Sequence, residues 1–267
     1  MTTQKVKRGV YLLPNVLTTF GLFAGFFAII LATKGQYSDA AIAIFVAMVF
    51  DGLDGRVARL TNTQSAFGEQ YDSMADMLSF CVAPALLMYF WQFGDLGKVG
   101  WLGAFVYTAA GALRLARFNT QIGVEDKRYF QGLPSPAAAA LIAGMVWTKE
   151  SIGITDYDQY LTLVSWIILV SAGVLMVSNI RYYSFKEINL KGRSSFKLLL
   201  IATLIIIVVT LWPSAILFVF FFAYAISGLI MTMVEVRKKT PIKKTSKKIL
   251  ILLYNARYES SSYNIPD

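Results

Sequence analysis

The fold class predicted by the sequence is an all-α integral membrane protein with about eight transmembrane helices, each needing about 20 mainly apolar residues. Three observations predict it. Soluble domains run about 45–50% apolar and about 25% charged, whereas 56% of these 267 residues are hydrophobic and 15% are charged. The apolar residues gather in uncharged runs of span length, and the charges gather between those runs. The positive charges, which give the chain its net +9, sit at the ends of the runs rather than on one basic face.

The elements follow in order. Residues 1–10 carry Lys5, Lys7 and Arg8 ahead of the uncharged run 16–33. No small-residue cleavage site precedes Lys34, so this run reads as a first membrane helix rather than a signal peptide. The run 40–50 leads directly into an acidic segment, and 77–94, 99–113, 129–148 and 159–180 are further uncharged stretches. Residues 198–234 are too long for one crossing and contain Trp212-Pro213, where a proline interrupts helical hydrogen bonding, so they count as two spans. The second and fourth spans reach full length only by taking in charged residues. Because ionisable groups inside a membrane are costly, function is to be sought there.

Positive residues mark the cytoplasmic side of a membrane protein. Of the 25 Lys and Arg, only Lys34, Lys98 and Lys149 fall on the opposite side when the spans alternate. This places both termini in the cytoplasm and the chain in the inner (cytoplasmic) membrane. The net charge is therefore a topology signal, and no nucleic-acid partner is expected. Residues 1–235 read as one polytopic membrane domain and 236–267 as a basic cytosolic tail, whose lysines suit anionic headgroups.

The chain has no histidine, which excludes His-dependent triads and His metal ligands, and any proton transfer falls to other groups. Its single cysteine, Cys81, excludes an internal disulfide framework and a cysteine metal cluster. What remains is an acidic constellation. Asp51 and Asp54 are spaced i, i+3, with Gly55 and Ala58 on the same helical face, and Gly68, Asp72 and Asp76 share another face at i, i+4, i+8. A short connection over 60–67 can turn these faces toward each other, with Arg56 and Arg59 alongside.

By spacing alone, three uses of these aspartates stay open: a hydrated cytosolic loop, the ion pathway of a coupled transporter, and a metal centre. Four carboxylates held together need compensating charge. An all-oxygen set suits hard cations such as Mg²⁺, Mn²⁺ or Ca²⁺. Two such ions about 3.5–4 Å apart are the usual clamp for displacement at phosphorus.

The segment from Asp51 to Asp76 resembles the signature of the CDP-alcohol phosphatidyltransferase family, D-x2-D-G-x2-A-R-x8-G-x3-D-x3-D, at every fixed position and gap. Further likenesses are Pro14-Asn15-Val-Leu-Thr18 ahead of the first span, Arg114-Leu-Ala-Arg117-Phe118-Asn119, Gly132-Leu-Pro134-Ser-Pro136, and the stretch from Ser178 through Arg181 to Lys186. The last three resemble the phosphatidylserine synthase branch. Together they cover roughly residues 11–190, while 191–267 are matched only in apolar character.

The resemblance implies a cytosolic-facing catalytic cavity in which a hydroxyl compound attacks the lipid-side phosphorus of CDP-diacylglycerol and CMP leaves. It implies Asp51, Asp54, Asp72 and Asp76 as ligands of two divalent ions, Asp76 as general base, and Asp72 and Arg59 as further catalytic groups. Asn15, Asp51, Gly55, Ala58, Arg59 and Gly68 are implied as the CDP-diacylglycerol site. L-serine is the implied acceptor, with Arg114, Arg117, Asn119 and Arg181 the residues for it, since arginine grips a carboxylate bidentately. Glycerol-3-phosphate or an inositol phosphate would also call for arginines, and the three arginines also read as ordinary positive flanks. A homodimer embedded in membrane lipid is implied as well.

Overall fold

The computed structural model describes residues 12–120, 129–153, 159–183, 200, 203, 204 and 210–234. Helix α1 (Leu12–Thr33) and α2 (Tyr37–Thr61) form an antiparallel pair. Their contact is made of small residues, with Gly21, Ala24, Ala28 and Ala32 on α1 and Ala40, Ala41, Ala43 and Ala47 on α2 all buried. Small side chains let two membrane helices approach closely, so dispersion contacts do the work that water exclusion does elsewhere. On its outer face α1 leaves Phe20, Phe23 and Phe27 exposed, as expected for lipid contact.

Helix α3 (Ala66–Leu96) is continuous but irregular, opening into π turns over Met77–Val82 and Tyr89–Phe93. The first π turn begins immediately after Asp76 and buries Ser79, Phe80 and Cys81. There α3 crosses α1 at its tightest point. A Cβ on Gly25 would lie 2.7 Å from Ser79 Cα, and Ser79 Oγ donates to Gly21 O at 3.2 Å. Helix α4 (Lys98–Thr120) closes on the same turn from the other side, with a Gly111 Cβ falling 2.8 Å from Cys81 Cβ.

Helix α5 (Ser135–Ile152) is buried almost all round from Ala137 to Val146, followed by α6 (Gln159–Val177) and α7 (Pro213–Val234). Two short strands, β1 (Tyr129–Gln131) and β2 (Arg181–Tyr183), pair antiparallel with Phe130 opposite Tyr182.

Among the described residues five helices, α1, α3, α4, α6 and α7, are long and apolar enough to cross a membrane. The chain is a helical membrane protein. The expected second and fifth spans are helices of 25 and 18 residues that are not apolar enough to qualify. The reasons differ. Helix α2 carries Asp51, Asp54, Arg56 and Arg59 in its second half. Helix α5 begins on Ser135 and Pro136 and carries Thr148, Lys149, Glu150 and Ser151 near its end, which offset its alanine-rich, apolar middle.

The run expected to span from residue 129 is corrected at its start, where 129–131 form a strand. Gly132 takes φ +76, and a Cβ there would sit 3.0 Å from the Met176 carbonyl carbon. Pro134 is extended, and Pro136 lies in the first turn of α5, where a missing N–H costs nothing. At its other end α5 runs on to include Lys149, which is no loop residue but lies buried over the Trp91 ring at 4.9 Å. The expected break at Trp212-Pro213 is present, with α7 starting at Pro213. Most of the preceding expected span, residues 1–11 and the 236–267 tail lie outside the described residues.

Candidate active site

The connection between α2 and α3 is four residues long and sets the geometry of the acidic faces. Asn62 ends α2 in the left-handed conformation (φ 53), where a short polar side chain is tolerated, and Thr63 N–H returns to Ala58 O at 3.0 Å. Ser65 caps α3, its hydroxyl accepting from Gly68 N–H at 3.0 Å, which satisfies one of the free donors of the first turn. The chain thus reverses within residues 62–65, and the aspartates of the two helices face each other.

One carboxylate oxygen from each of Asp51, Asp72 and Asp76 lies within 4.8 Å of the others. Asp54 is held slightly apart. It is buried, and Thr18 Oγ1 of α1 donates to its Oδ2 at 2.7 Å. All four carboxylates border one small hollow of about 10 Å³, closed by Thr18, Gly21, Ala47, Ala75, Ser79 and Phe80. The donor set is entirely oxygen, small in volume, and flanked by the rigid α1–α3 crossing. Those properties fit a hard divalent cation, which would relieve the repulsion among carboxylates this close.

Beside this cluster a cleft of about 180 Å³ opens between the ends of α1, α2 and α3. Asn15, Asp54, Gly55, Ala58, Arg59, Gly68 and Asp72 all line it. The glycines keep it open. A Cβ on Gly68 would fall 3.2 Å from Ser65 Oγ and 3.4 Å from Asn15 Oδ1, and one on Gly55 would meet the Arg59 guanidinium at 3.6 Å. Arg56 is exposed and does not line the cleft.

The acceptor candidates separate into different environments. Arg114 is buried, its Nη1 donates to Ser135 Oγ at 2.7 Å, and its charge lies close enough to Asp76 to interact with it. Its Nε is buried with no hydrogen-bond partner among the described residues. Arg117 instead reaches the small sheet, donating to Gln131 Oε1, to Asn179 Oδ1 at 2.7 Å and to Val177 O. Asn119 accepts from Ser73 Oγ at 3.1 Å, tying α4 to the residue after Asp72. Arg181 is exposed on β2, in register with Gln131.

Sequence reasoning missed Thr18 and Ser135, which hold Asp54 and Arg114 in place. Thr18 stands within the motif at the start of α1, but nothing local links it to a carboxylate 36 positions away.

Comparison with known proteins gives the family. The model of the CDP-alcohol phosphatidyltransferase family matches residues 11–177. A CDP-diacylglycerol–serine O-phosphatidyltransferase of Helicobacter pylori is 38% identical over 83% of this chain and 91% of that protein. One of the same name from Mycobacterium tuberculosis is 32% identical over 82% of this chain and 78% of its own. An archaetidylserine synthase of Methanothermobacter thermautotrophicus is 36% identical over 64% of this chain and 69% of its own. With a match running from the start of α1 to the end of α6, and relatives this similar over most of its length, the chain belongs to the CDP-alcohol phosphatidyltransferase family.

Proposed function

We propose that this enzyme transfers the phosphatidyl group of CDP-diacylglycerol to the hydroxyl of L-serine, releasing CMP. Family membership supports the reaction, and the names of the relatives support serine. The observation that carries the acceptor is Arg114, a buried guanidinium beside Asp76 whose Nε has no hydrogen-bond partner among the described residues. An unpaired buried donor is costly, and a carboxylate brought by the substrate satisfies it.

In this reading Asp51, Asp54, Asp72 and Asp76 hold the divalent ions, two of Mg²⁺ or Mn²⁺, with Ca²⁺ a further hard ion of suitable chemistry. When bound, the ions supply the positive charge that neutralises the diphosphate. Thr18 fixes the carboxylate of Asp54. Arg59, reaching over Gly55, pairs with the diphosphate, while Asn15, Ala58 and Gly68 leave room for the cytidine. Asp76 takes the serine hydroxyl proton as that oxygen bonds to the lipid-side phosphorus, and the phosphorus–oxygen bond to CMP breaks. Arg114 orients serine, while Arg117, Asn119 and Arg181 shape its surroundings through β1, β2 and α3.

A side-by-side assay tests the acceptor. Purified protein with CDP-diacylglycerol and Mg²⁺ or Mn²⁺ is expected to release CMP with serine, and not with glycerol-3-phosphate or an inositol phosphate. Release with one of the phosphates alone would reassign the acceptor while keeping the chemistry. No metal-dependent release with any acceptor would overturn the proposed reaction.

The proposed orientation puts the cleft and the termini in the cytoplasm, with eight spans and the basic tail lying against the inner leaflet. Leu60 is 83% exposed beside the cleft end of α2, and Lys98 is exposed at the opposite end of the bundle. In intact cells a cysteine replacing Lys98 is expected to react with an impermeant thiol reagent, and one replacing Leu60 is not. The native Cys81 is fully buried and stays silent. Labelling in the reverse pattern would invert the topology.

A further inference from the structure

Helix α7 lies wholly beyond residues 11–177, the region matched by the family. Its packing is nevertheless directed at the acceptor side of the site. Gly144 of α5 meets the α7 backbone directly, since a Cβ there would fall 3.1 Å from Phe218 Cα. Farther along, the Tyr182 ring of β2 packs directly against Gly228, whose added Cβ would be 2.7 Å from Tyr182 Cδ1. Two tyrosines then lock strand to helix reciprocally. Tyr182 Oη donates to Ala225 O at 3.1 Å, and Tyr224 Oη donates to Tyr183 O at 3.1 Å, with the two rings 5.5 Å apart. Tyr182 is completely buried in this contact.

What the two tyrosines hold is the segment that partners the arginines. Strand β2 pairs with β1, whose Gln131 accepts from Arg117. The chain then runs through Gly132, whose N–H donates to Ile180 O at 2.8 Å, and Leu133, whose N–H donates to Leu175 O at 3.0 Å. It arrives at Ser135, the partner of Arg114. The Tyr224 hydroxyl also lies close enough to Arg114 to interact with its charge. Both acceptor-side arginines therefore donate to residues 131–135, and α7 packs on the strand that pairs with this segment.

We propose that Tyr182 and Tyr224 are positioning residues for acceptor recognition, so that α7, outside the family's matched region, tunes the affinity for serine. This rests on serine being the acceptor. The two hydroxyls are removed separately, as Tyr224→Phe and Tyr182→Phe, in the full-length protein, keeping both rings in place. Losing one neutral hydrogen bond corresponds to roughly 2- to 12-fold in an equilibrium, and that is the expected rise in KM for serine. KM for CDP-diacylglycerol and kcat should stay within about twofold, because the cleft between α1, α2 and α3 touches neither tyrosine. Gly228→Ala, which displaces the Tyr182 ring, should raise the serine KM further in the same selective way.

Unchanged serine KM in both phenylalanine variants would overturn the proposal. So would a parallel rise in both KM values with a lowered melting temperature, since that reports general loosening. Wild-type protein run alongside separates the two levels: if it shows no serine-dependent CMP release, the acceptor assignment fails and this inference with it. If wild type responds to serine and the variants match it, only this inference fails.

Discussion

Replacing Asp51, Asp54 or Asp72 by alanine is expected to reduce CMP release by roughly 10²- to 10⁴-fold, while the protein still inserts in the membrane. The magnitude follows from the several kcal/mol that a bound cation contributes to transition-state charge stabilisation, at about 1.4 kcal/mol per tenfold in rate. Asp51, Asp72 and Asp76 each bring one carboxylate oxygen within 4.8 Å of the others, and Asp54 borders the same hollow, so each supplies an oxygen the others do not replace. Asp54 offers an internal contrast. Asn at that position keeps an acceptor for the Thr18 hydroxyl, so Asp54→Asn should preserve folding better than Asp54→Ala while losing comparable activity. Excess EDTA should silence wild-type protein, and added Mg²⁺ or Mn²⁺ should restore it. Full turnover in metal-free buffer would sink the metal assignment.

The second large effect concerns Arg114. Arg114→Lys keeps the charge but loses the planar fork that meets a carboxylate with two parallel hydrogen bonds. A charge-assisted hydrogen bond is worth about 1.5–3 kcal/mol, or roughly 10- to 150-fold in affinity at about 1.4 kcal/mol per tenfold. The expected result is a serine KM raised by that factor with KM for CDP-diacylglycerol nearly unchanged. Arg117→Lys should give a smaller increase, because that side chain is engaged by Gln131 and Asn179 and acts through the sheet. Asp76→Asn completes the comparison: without the base, kcat should fall and serine affinity should hold. If Arg114→Lys changes only insertion or topology, the residue is an ordinary cytoplasmic flank and serine is bound elsewhere.

Much of the acidic centre is legible in the amino-acid sequence because its geometry is local. Residues at i, i+3 and at i, i+4, i+8 share a helix face whatever the rest of the chain does. Asp51 with Asp54, and Gly68 with Asp72 and Asp76, therefore declare two faces from spacing alone, and the short segment between them requires the helices to be neighbours. The membrane class is legible for a similar reason, since long uncharged runs have few stable homes other than lipid. Even there the pattern has a limit. Helix α5 takes in Lys149 and Glu150 near its end and α2 carries the site's charges, so neither shows the apolarity of a lipid-facing span.

Side-chain partners are not legible in this way. Arg114 and Arg117 sit one helical turn apart with the same chemistry, yet one is buried against Ser135 beside Asp76 and the other reaches the sheet. The pairing of residues 129–131 with 181–183 joins strands too short to leave a periodic signature. Tyr182 reaches Ala225 of α7 across 43 positions and packs on Gly228, a glycine that nothing in the sequence sets apart. Periodicity reports which residues share a face over a few turns of helix, and so the carboxylate faces, the helices and the membrane are readable from the chain alone. Which face meets which across distant segments depends on close packing among all the helices at once, and only the folded structure settles the surroundings of Asp54, the separation of the two arginines and the placement of α7.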